Sequence, residues 1–595
     1  MRLPASERAR WTLAVGVGTL ALVALNVWWV FAYRQGYPLN VDENGYTSIA
    51  LNDWLGFHNG GLHGLWSAVQ SQTPNAPLLP ALTSLLLIVE RGVMEGFVVL
   101  IGFFALLVFA AFGVGERLAG PRLGALGALA VATSEGALLF SREYVFALPT
   151  AALLSCAVFA LLRSERMQMR RWAVACGVAV GLMVLARTMA VAFVPGVIVA
   201  ALVAMLAAER GELRRRFLNL GLAAIAAIVV AATWYYHNLK PVYEYLTSFG
   251  YGSQSAYYGA EHSIVSWGRF KAVAERVIAD DLLVPMAALV LVGLVVLAVL
   301  AVRRVAGAPD RRRELLRLAA SDVFAVAIVV FAGYAALMSS RNGGNGFSLP
   351  LSMLLPPLAV VALRHPRAVA VPVAALVALI GLLNLAATST LWQGLAEPRT
   401  VSVPGFGPQA WVNGIPRPVG AIRVQVPGPA TRFDARDRGW TEADERLAAE
   451  LQRQIDAGVL SPVVAFASRN RAISSNSVGL AELLYQTNAI PFTQLNAEPA
   501  DTIATYSRQL TDPAFGLPGM LVTMSSDIGD FEPLVTQRKA EVAARQLNFH
   551  RIWATTLPDG RRMRLWQREK PASASPGTSA SAVPPPARER DSRRG

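Results

Sequence analysis

The stretch "WTLAVGVGTLALVALNVWWVFAY" (residues 11–33), followed five residues later by "LNVDENGYTSIALNDW" (residues 39–54), decides how the chain reads. The first piece carries no charged residue over a length that spans ~30 Å of hydrocarbon as a helix, and no small-residue cleavage site closes it. It therefore reads as a retained first membrane helix. The second piece opens with two adjacent carboxylates, Asp42 and Glu43, ahead of "YTSIALNDWL", whose apolar residues fall on one helical face. Position alone makes the pair a solvated loop start, because charged groups avoid lipid.

The rest of the chain agrees with a membrane protein. Of 595 residues, 54% are hydrophobic and 16% charged, and the mean hydropathy of +0.41 exceeds that of soluble globular chains of this size. The net charge of +14 comes from arginines in short clusters between apolar segments, with no basic face interleaved with aromatics, so nucleic-acid binding is excluded. Cys156 and Cys176 both lie in apolar segments and offer neither a disulfide framework nor a metal site.

Apolar segments of spanning length recur at 11–33, 96–115, 123–140, 145–162, 172–186, 188–208, 217–236, 282–302, 320–339, 347–363 and 368–391, eleven in all. Arg187 divides the stretch 172–208, which reads as a hairpin with Arg187 at the outer interface, a single bent helix being the alternative. "TPNAPLLPALTSLLLIVE" is apolar but Pro-punctuated and reads as a second interfacial helix. With the amino terminus inside, the cytoplasmic pieces "ERLAGPR", "RSERMQMRR", "ERGELRRR", "RRVAGAPDRRRELLR" and "RHPR" are all arginine-rich, whereas the outer loops 34–95 and 237–281 are poor in basic residues. The carboxyl terminus is then outside.

The expected fold class is a polytopic α-helical membrane protein of about eleven spans with a C-terminal outer-face α/β domain. Residues 1–391 form the membrane domain, 392–570 the α/β domain and 571–595 a Pro/Ser/Ala-rich disordered tail. Within the α/β domain "SPVVAFAS" and "PGMLVTMS" read as buried strands, "NSVGLAELLYQT" and "FEPLVTQRKAEVAARQL" as helices, and "FHRIWATTLPDGRRMRLWQR" as a hairpin turning at Asp559 and Gly560.

An outer first loop beginning "DExxY", then an interfacial helix, a "PL" element and a series of short-looped membrane helices resembles the GT-C glycosyltransferases. The look-alikes are protein O-mannosyltransferases and lipid A aminoarabinose transferases, which use sugars carried on a polyprenyl phosphate. "SREYVFALPT" (residues 141–150) is similar to the segment at the outer end of their third helix. The motifs cover residues 1–240; beyond that the likeness is one of topology. The resemblance implies that Asp42 is the base that deprotonates an acceptor hydroxyl, with Glu43 as its support or as a metal ligand, and Tyr46 of the motif on substrate. No cofactor is otherwise legible; a divalent metal is left open.

The relatives carry a Lys or His before two prolines where this chain has Asn75, Ala76, Pro77 and Leu78, so the donor phosphate needs another cation. Arg142 in "SREY" ranks first because the motif supports it, ahead of Arg187, Lys240 and Arg341 at other outer helix ends. The plain reading of each is an arginine or lysine snorkelling to headgroups. Tyr251, Tyr257 and Tyr258, in "PVYEYLTSFGYGSQSAYYGAEHS", are either an interfacial aromatic belt or a wall against the sugar. His237 and His262 read as polar surface residues, and the Gly-rich "SSRNGGNGFSLP" as an outer turn near the site entrance rather than a P-loop.

The function these features favour is transfer of a sugar from a polyprenyl-phosphate donor to a glycan, lipid or protein acceptor at the outer face of the inner (plasma) membrane. The alternatives are a non-catalytic glycan-binding or assembly protein, for which eleven spans are excessive, and a transporter, for which no internal repeat is apparent.

Overall fold

The computed structural model describes the chain apart from residues 1–5, 37, 72, 208–211, 253–263, 342, 345, 365–366, 390, 393–394, 396–398, 413–434, 469–472, 486–489, 498–499, 528–533 and 570–595. The expected tail at 571–595 and Tyr257, Tyr258, Glu261 and His262 lie outside the described residues.

Helix α1 (Glu7–Tyr33) starts at Ser6, whose hydroxyl accepts from the Ala9 amide. Helix α2 (Val41–Val69) contains the acidic pair in its first turn and breaks at Gly60 and Gly61, the latter at φ +57°. Gly56 and Gly64 then meet backbone to backbone, leaving no room for a Cβ on either. Leu62 and Trp66 at the break are exposed. The pair Asp42–Glu43 therefore belongs to a helix terminus and not to a loop. Helix α3 (Leu78–Leu86) is the second short apolar helix.

Helices α4 (Met94–Ala119), α5 (Pro121–Ala132), α6 (Glu135–Phe140), α7 (Ala147–Arg163), α8 (Arg170–Ala186), α9 (Val194–Leu206), α10 (Leu213–Gly250), α11 (Trp267–Arg276), α12 (Leu283–Ala306), α13 (Arg311–Ala319), α14 (Asp322–Ser339), α15 (Leu349–Ser352), α16 (Leu355–Ala359) and α17 (Arg367–Thr388) complete the helical part. Every one of the eleven apolar segments is helical. Among the described residues, seven helices are by themselves long and apolar enough to cross a membrane. The segments at 123–140, 145–162, 172–186 and 347–363 are shorter or broken. The break between α5 and α6 falls at Thr133–Ser134, where Ser134 caps α6, and Pro356–Pro357 interrupt the last segment. Helix α7 is buried along nearly its whole length, so its neighbours and not lipid surround it. Hydrophobicity is needed in such a helix whether or not it spans alone.

Helix α10 continues through Pro241 to Gly250. The expected outer loop 237–281 is thus helical at its start and again in α11, which changes where its tyrosines point.

In the C-terminal part, β1 (Arg399–Val403) and β2 (Gly407–Val412) form an antiparallel hairpin. Then come α18 (Ala435–Asp456), β3 (Val464–Phe466), α19 (Ser475–Tyr485), β4 (Phe492–Gln494), α20 (Ile503–Thr511), β5 (Met520–Met524), α21 (Gln537–Gln546), β6 (Phe549–Thr556) and β7 (Arg562–Arg568). The strands form one sheet of order β4-β3-β5-β7-β6. Strands β4 and β5 run parallel to β3, whereas β7 is antiparallel to both β5 and β6. Helices pack on both faces: Trp440, Leu447 and Leu451 of α18 belong to one core, and Ala540 and Ala544 of α21 to the other. Helix α19 seats this unit on α2, where Asn476 Nδ2 donates to the Val41 carbonyl at 2.9 Å, and Arg91 donates to the Leu483 carbonyl.

Candidate active site

The first turn of α2 is built by a capping box. The Asn40 side chain accepts from the amides of Asp42 at 2.9 Å and Glu43 at 3.0 Å, and Glu43 Oε2 accepts from the Asn40 amide at 2.9 Å. This reciprocal arrangement turns the two adjacent carboxylates in different directions. Glu43 is completely buried: Arg34 Nη2 donates to its two oxygens at 2.6 and 2.7 Å, and the Tyr144 amide donates to Oε1 at 2.9 Å. Arg34 is itself buried and lies over the Phe97 ring, 5.2 Å from its centroid. Asp42 stays exposed.

Glu43 thus ties the end of α1, the first turn of α2 and the segment at Tyr144 together. Its oxygens are taken up by Arg34, Asn40 and Tyr144, which leaves no lone pair facing a metal. Among the described residues no three His, Cys, Asp or Glu side chains gather as a metal site either.

Asn40 also donates from Nδ2 to Glu143 Oε1 at 2.7 Å. Glu143 is buried, and its Oε2 makes no hydrogen bond among the described residues. Burial first, and then the charge of Glu43, push its carboxyl well above the usual glutamate value, with Arg34 opposing.

Of the cations read from the sequence, Arg187 is the one whose electrostatic surroundings include Asp42. Helix α8 stops at Ala186, Arg187 is extended at φ −156° and ψ 124°, and a 3-10 turn follows at Thr188–Phe193. The break carries the side chain sideways. Its Nη1 donates to the Gly346 carbonyl at 3.1 Å, and its guanidinium sits 3.8 Å from the Phe347 ring centroid. Burial lowers its pKa, while Tyr46, Tyr245 and Asp42 act the opposite way. These three side chains and Arg187 form one electrostatic group. Gly346, at φ +71°, touches Ala147 and Phe140 so closely that a Cβ would not fit. This is the chemical use of the Gly-rich turn in "SSRNGGNG".

Arg142, the first choice by motif, is placed differently. It is buried, with Nε donating to Asn26 Oδ1 at 2.8 Å, Nη1 to the Thr388 carbonyl at 2.8 Å and Nη2 to Ser389 Oγ at 2.7 Å. It also stacks over Trp29 at 4.6 Å. All three nitrogens tie α1 and the end of α17 to the segment before α7, so its geometry is that of an internal brace. Lys240 is 85% exposed beside Glu244 at 4.0 Å. Arg341 is exposed, its amide donating to the Gly250 carbonyl at 2.9 Å.

Tyr46 is half-buried and packs on Phe146 with ring centroids 4.0 Å apart. Tyr251 is exposed at the end of α10. Tyr245 of the same tyrosine-rich segment is the one whose electrostatic surroundings include Arg187. On a continued α10, Tyr243 and Tyr245 are 200° apart, and only one of them can face inward. Tyr243 is the exposed one.

Neither a protein-family model nor a curated protein matches the chain. Solved structures do. The crystal structure of ArnT from Cupriavidus metallidurans in the apo state is similar at a TM-score of 0.52 and 14% identity, over 94% of this chain and 98% of that one. The same protein bound to undecaprenyl phosphate gives a TM-score of 0.54 at 14% identity, over 93% and 98% of the two chains. Likeness at this identity establishes the fold: the chain is a polytopic α-helical membrane protein with the GT-C fold and a C-terminal α/β unit.

Proposed function

We propose that the chain is a membrane glycosyltransferase that moves a sugar from a polyprenyl-phosphate donor to an acceptor hydroxyl, with Asp42 as general base and Arg187 on the donor phosphate. The observation that carries this reading is the meeting of an exposed carboxylate and a half-buried guanidinium in one group with Tyr46 and Tyr245. Asp42 takes the proton from the acceptor hydroxyl as its oxygen forms a bond to the anomeric carbon. The bond from that carbon to the phosphate oxygen breaks, and its electron pair leaves with the lipid phosphate. The guanidinium offsets the charge that develops there, and the tyrosine hydroxyls offer hydrogen bonds to the sugar. A polyprenyl phosphate as carrier is supported by the GT-C resemblance and by the similar fold of a protein crystallised with undecaprenyl phosphate.

Sugar transfer from polyprenyl-phosphate donors in reconstituted membranes tests the reading. Arg187→Gln is expected to weaken donor binding by about 10- to 100-fold, the range of a lost hydrogen bond to a charged group. Unchanged donor binding in a folded Arg187→Gln protein overturns the assignment.

The arginine-rich loops support an inside amino terminus and an outer-face site, with residues 392–570 outside and modulating acceptor use. A reporter fused after residue 392 should be active only on the outer side. Cytoplasmic activity there sinks the outer-face reading.

A further inference from the structure

Beside the first turn of α2 lies a cavity of about 520 Å³ between the membrane helices and the C-terminal unit. Its lower wall includes Phe31 of α1 and Val98 of α4, both 42% or more exposed on helices apolar enough to span a membrane. Its upper wall is polar: Arg91 and Glu95 come from the α3–α4 connection and the start of α4, and Asp444 and Ser477 from α18 and α19.

Polar groups in this wall are left short of partners. Asp444 is 5% exposed; its Oδ1 accepts from Ser477 Oγ at 2.9 Å, and the carboxyl makes no other hydrogen bond among the described residues. Glu95 Oε2 and Arg91 Nε are buried and without a partner among the described residues. Arg91 is held in place by stacking 5.1 Å from the Trp54 centroid and by its bond to the Leu483 carbonyl. A buried carboxyl oxygen and a buried N–H donor left unpaired in the wall of one cavity are costly unless a ligand supplies the opposite partners.

We infer that this cavity binds a zwitterionic phospholipid with a primary-amine headgroup, its phosphate on Arg91, its ammonium between Asp444 and Glu95, and its chains along Phe31 and Val98. Charge complementarity selects this occupant. Glu90 and Glu445 add two more carboxylates to a wall with one arginine, so a purely anionic headgroup meets net repulsion. A quaternary ammonium of similar size carries no N–H and leaves both carboxyls without a donor. Burial holds the Asp444 carboxyl well above the usual aspartate range, and an ammonium beside it restores the ionised form. The bound headgroup would join the C-terminal unit to the α3–α4 connection, so lipid composition sets how firmly that unit is seated. This site is independent of the transfer chemistry proposed for Asp42.

The test is lipid retention by the full chain, extracted from vesicles of equimolar phosphatidylethanolamine, phosphatidylcholine and phosphatidylglycerol and weighed by native mass spectrometry. Phosphatidylethanolamine should be retained about 10-fold over either competitor, the factor expected from a single charge-assisted hydrogen bond. Asp444→Asn keeps the oxygen that accepts from Ser477 but removes the charge, and Glu95→Gln does the same on the membrane side. Each should bring retention close to parity, whereas Glu442→Gln, exposed on α18, should leave the preference intact. Equal retention of the three lipids by the unaltered chain, or an undiminished preference in Glu95→Gln with normal thermal stability, overturns the inference. Should Asp444→Asn fail to fold, Glu95→Gln decides alone.

Discussion

Asp42→Asn is expected to lower sugar transfer by about 100-fold or more while the protein still inserts and binds its donor, because the amide keeps the size of the carboxylate but cannot accept a proton. The geometry favours a clean result. Asp42 is exposed and its amide, not its side chain, makes the capping contact with Asn40, so the helix start survives the change. The control needs care. Asp53, the natural bystander by sequence, is 2% exposed, and burial pushes its carboxyl up to about 7; its loss alters a buried site. Exposed Glu442 on the C-terminal unit is the better comparison. Transfer measured in reconstituted membranes decides the matter, and near-normal turnover by the Asp42 variant would return the carboxylate to a solvated helix start and move the search for the base to Glu143.

Glu43→Gln is expected to act on stability, by about 3–5 kcal/mol, the usual loss when one partner of a buried ion pair is removed and the other charge is left uncompensated. Both Arg34 and Glu43 are at most 1% exposed, and Glu43 holds together the end of α1, the first turn of α2 and the segment at Tyr144. Replacing both partners with apolar residues of similar volume should recover part of the loss, since no charge is then stranded. Thermal unfolding in detergent checks it. A Glu43→Gln protein that unfolds like the unaltered chain but no longer transfers sugar would assign Glu43 to the chemistry instead.

The contrast between these two variants shows what a motif conveys. "DExxY" identifies the turn, and its place after the first apolar helix puts it near the end of that helix. The division of labour between Asp42 and Glu43 depends on Arg34 and Tyr144, the second of which is about a hundred residues away. Adjacent residues on a helix point about 100° apart, so one of two neighbouring acids must face inward, and only the neighbours decide which.

Helical segments, arginine-marked loops, two buried strands of the C-terminal unit and the hairpin at Asp559–Gly560 were readable from local pattern, because apolar periodicity and turn chemistry act over a few residues. The cation we propose for the donor phosphate was not. Arg142 and Arg187 are the same residue type at the ends of apolar helices; Asn26, Thr388 and Ser389 consume the first, while the break after Ala186 turns the second toward Asp42, Tyr46 and Tyr245. Those partners are separated along the chain by tens to hundreds of residues. By itself the sequence determined that this chain is a membrane-embedded helical protein with an acidic pair just beyond its first helix. Which charges satisfy one another and which remain for a substrate was decided by tertiary packing, because pairing energies depend on distance and burial, and neither is set by local pattern.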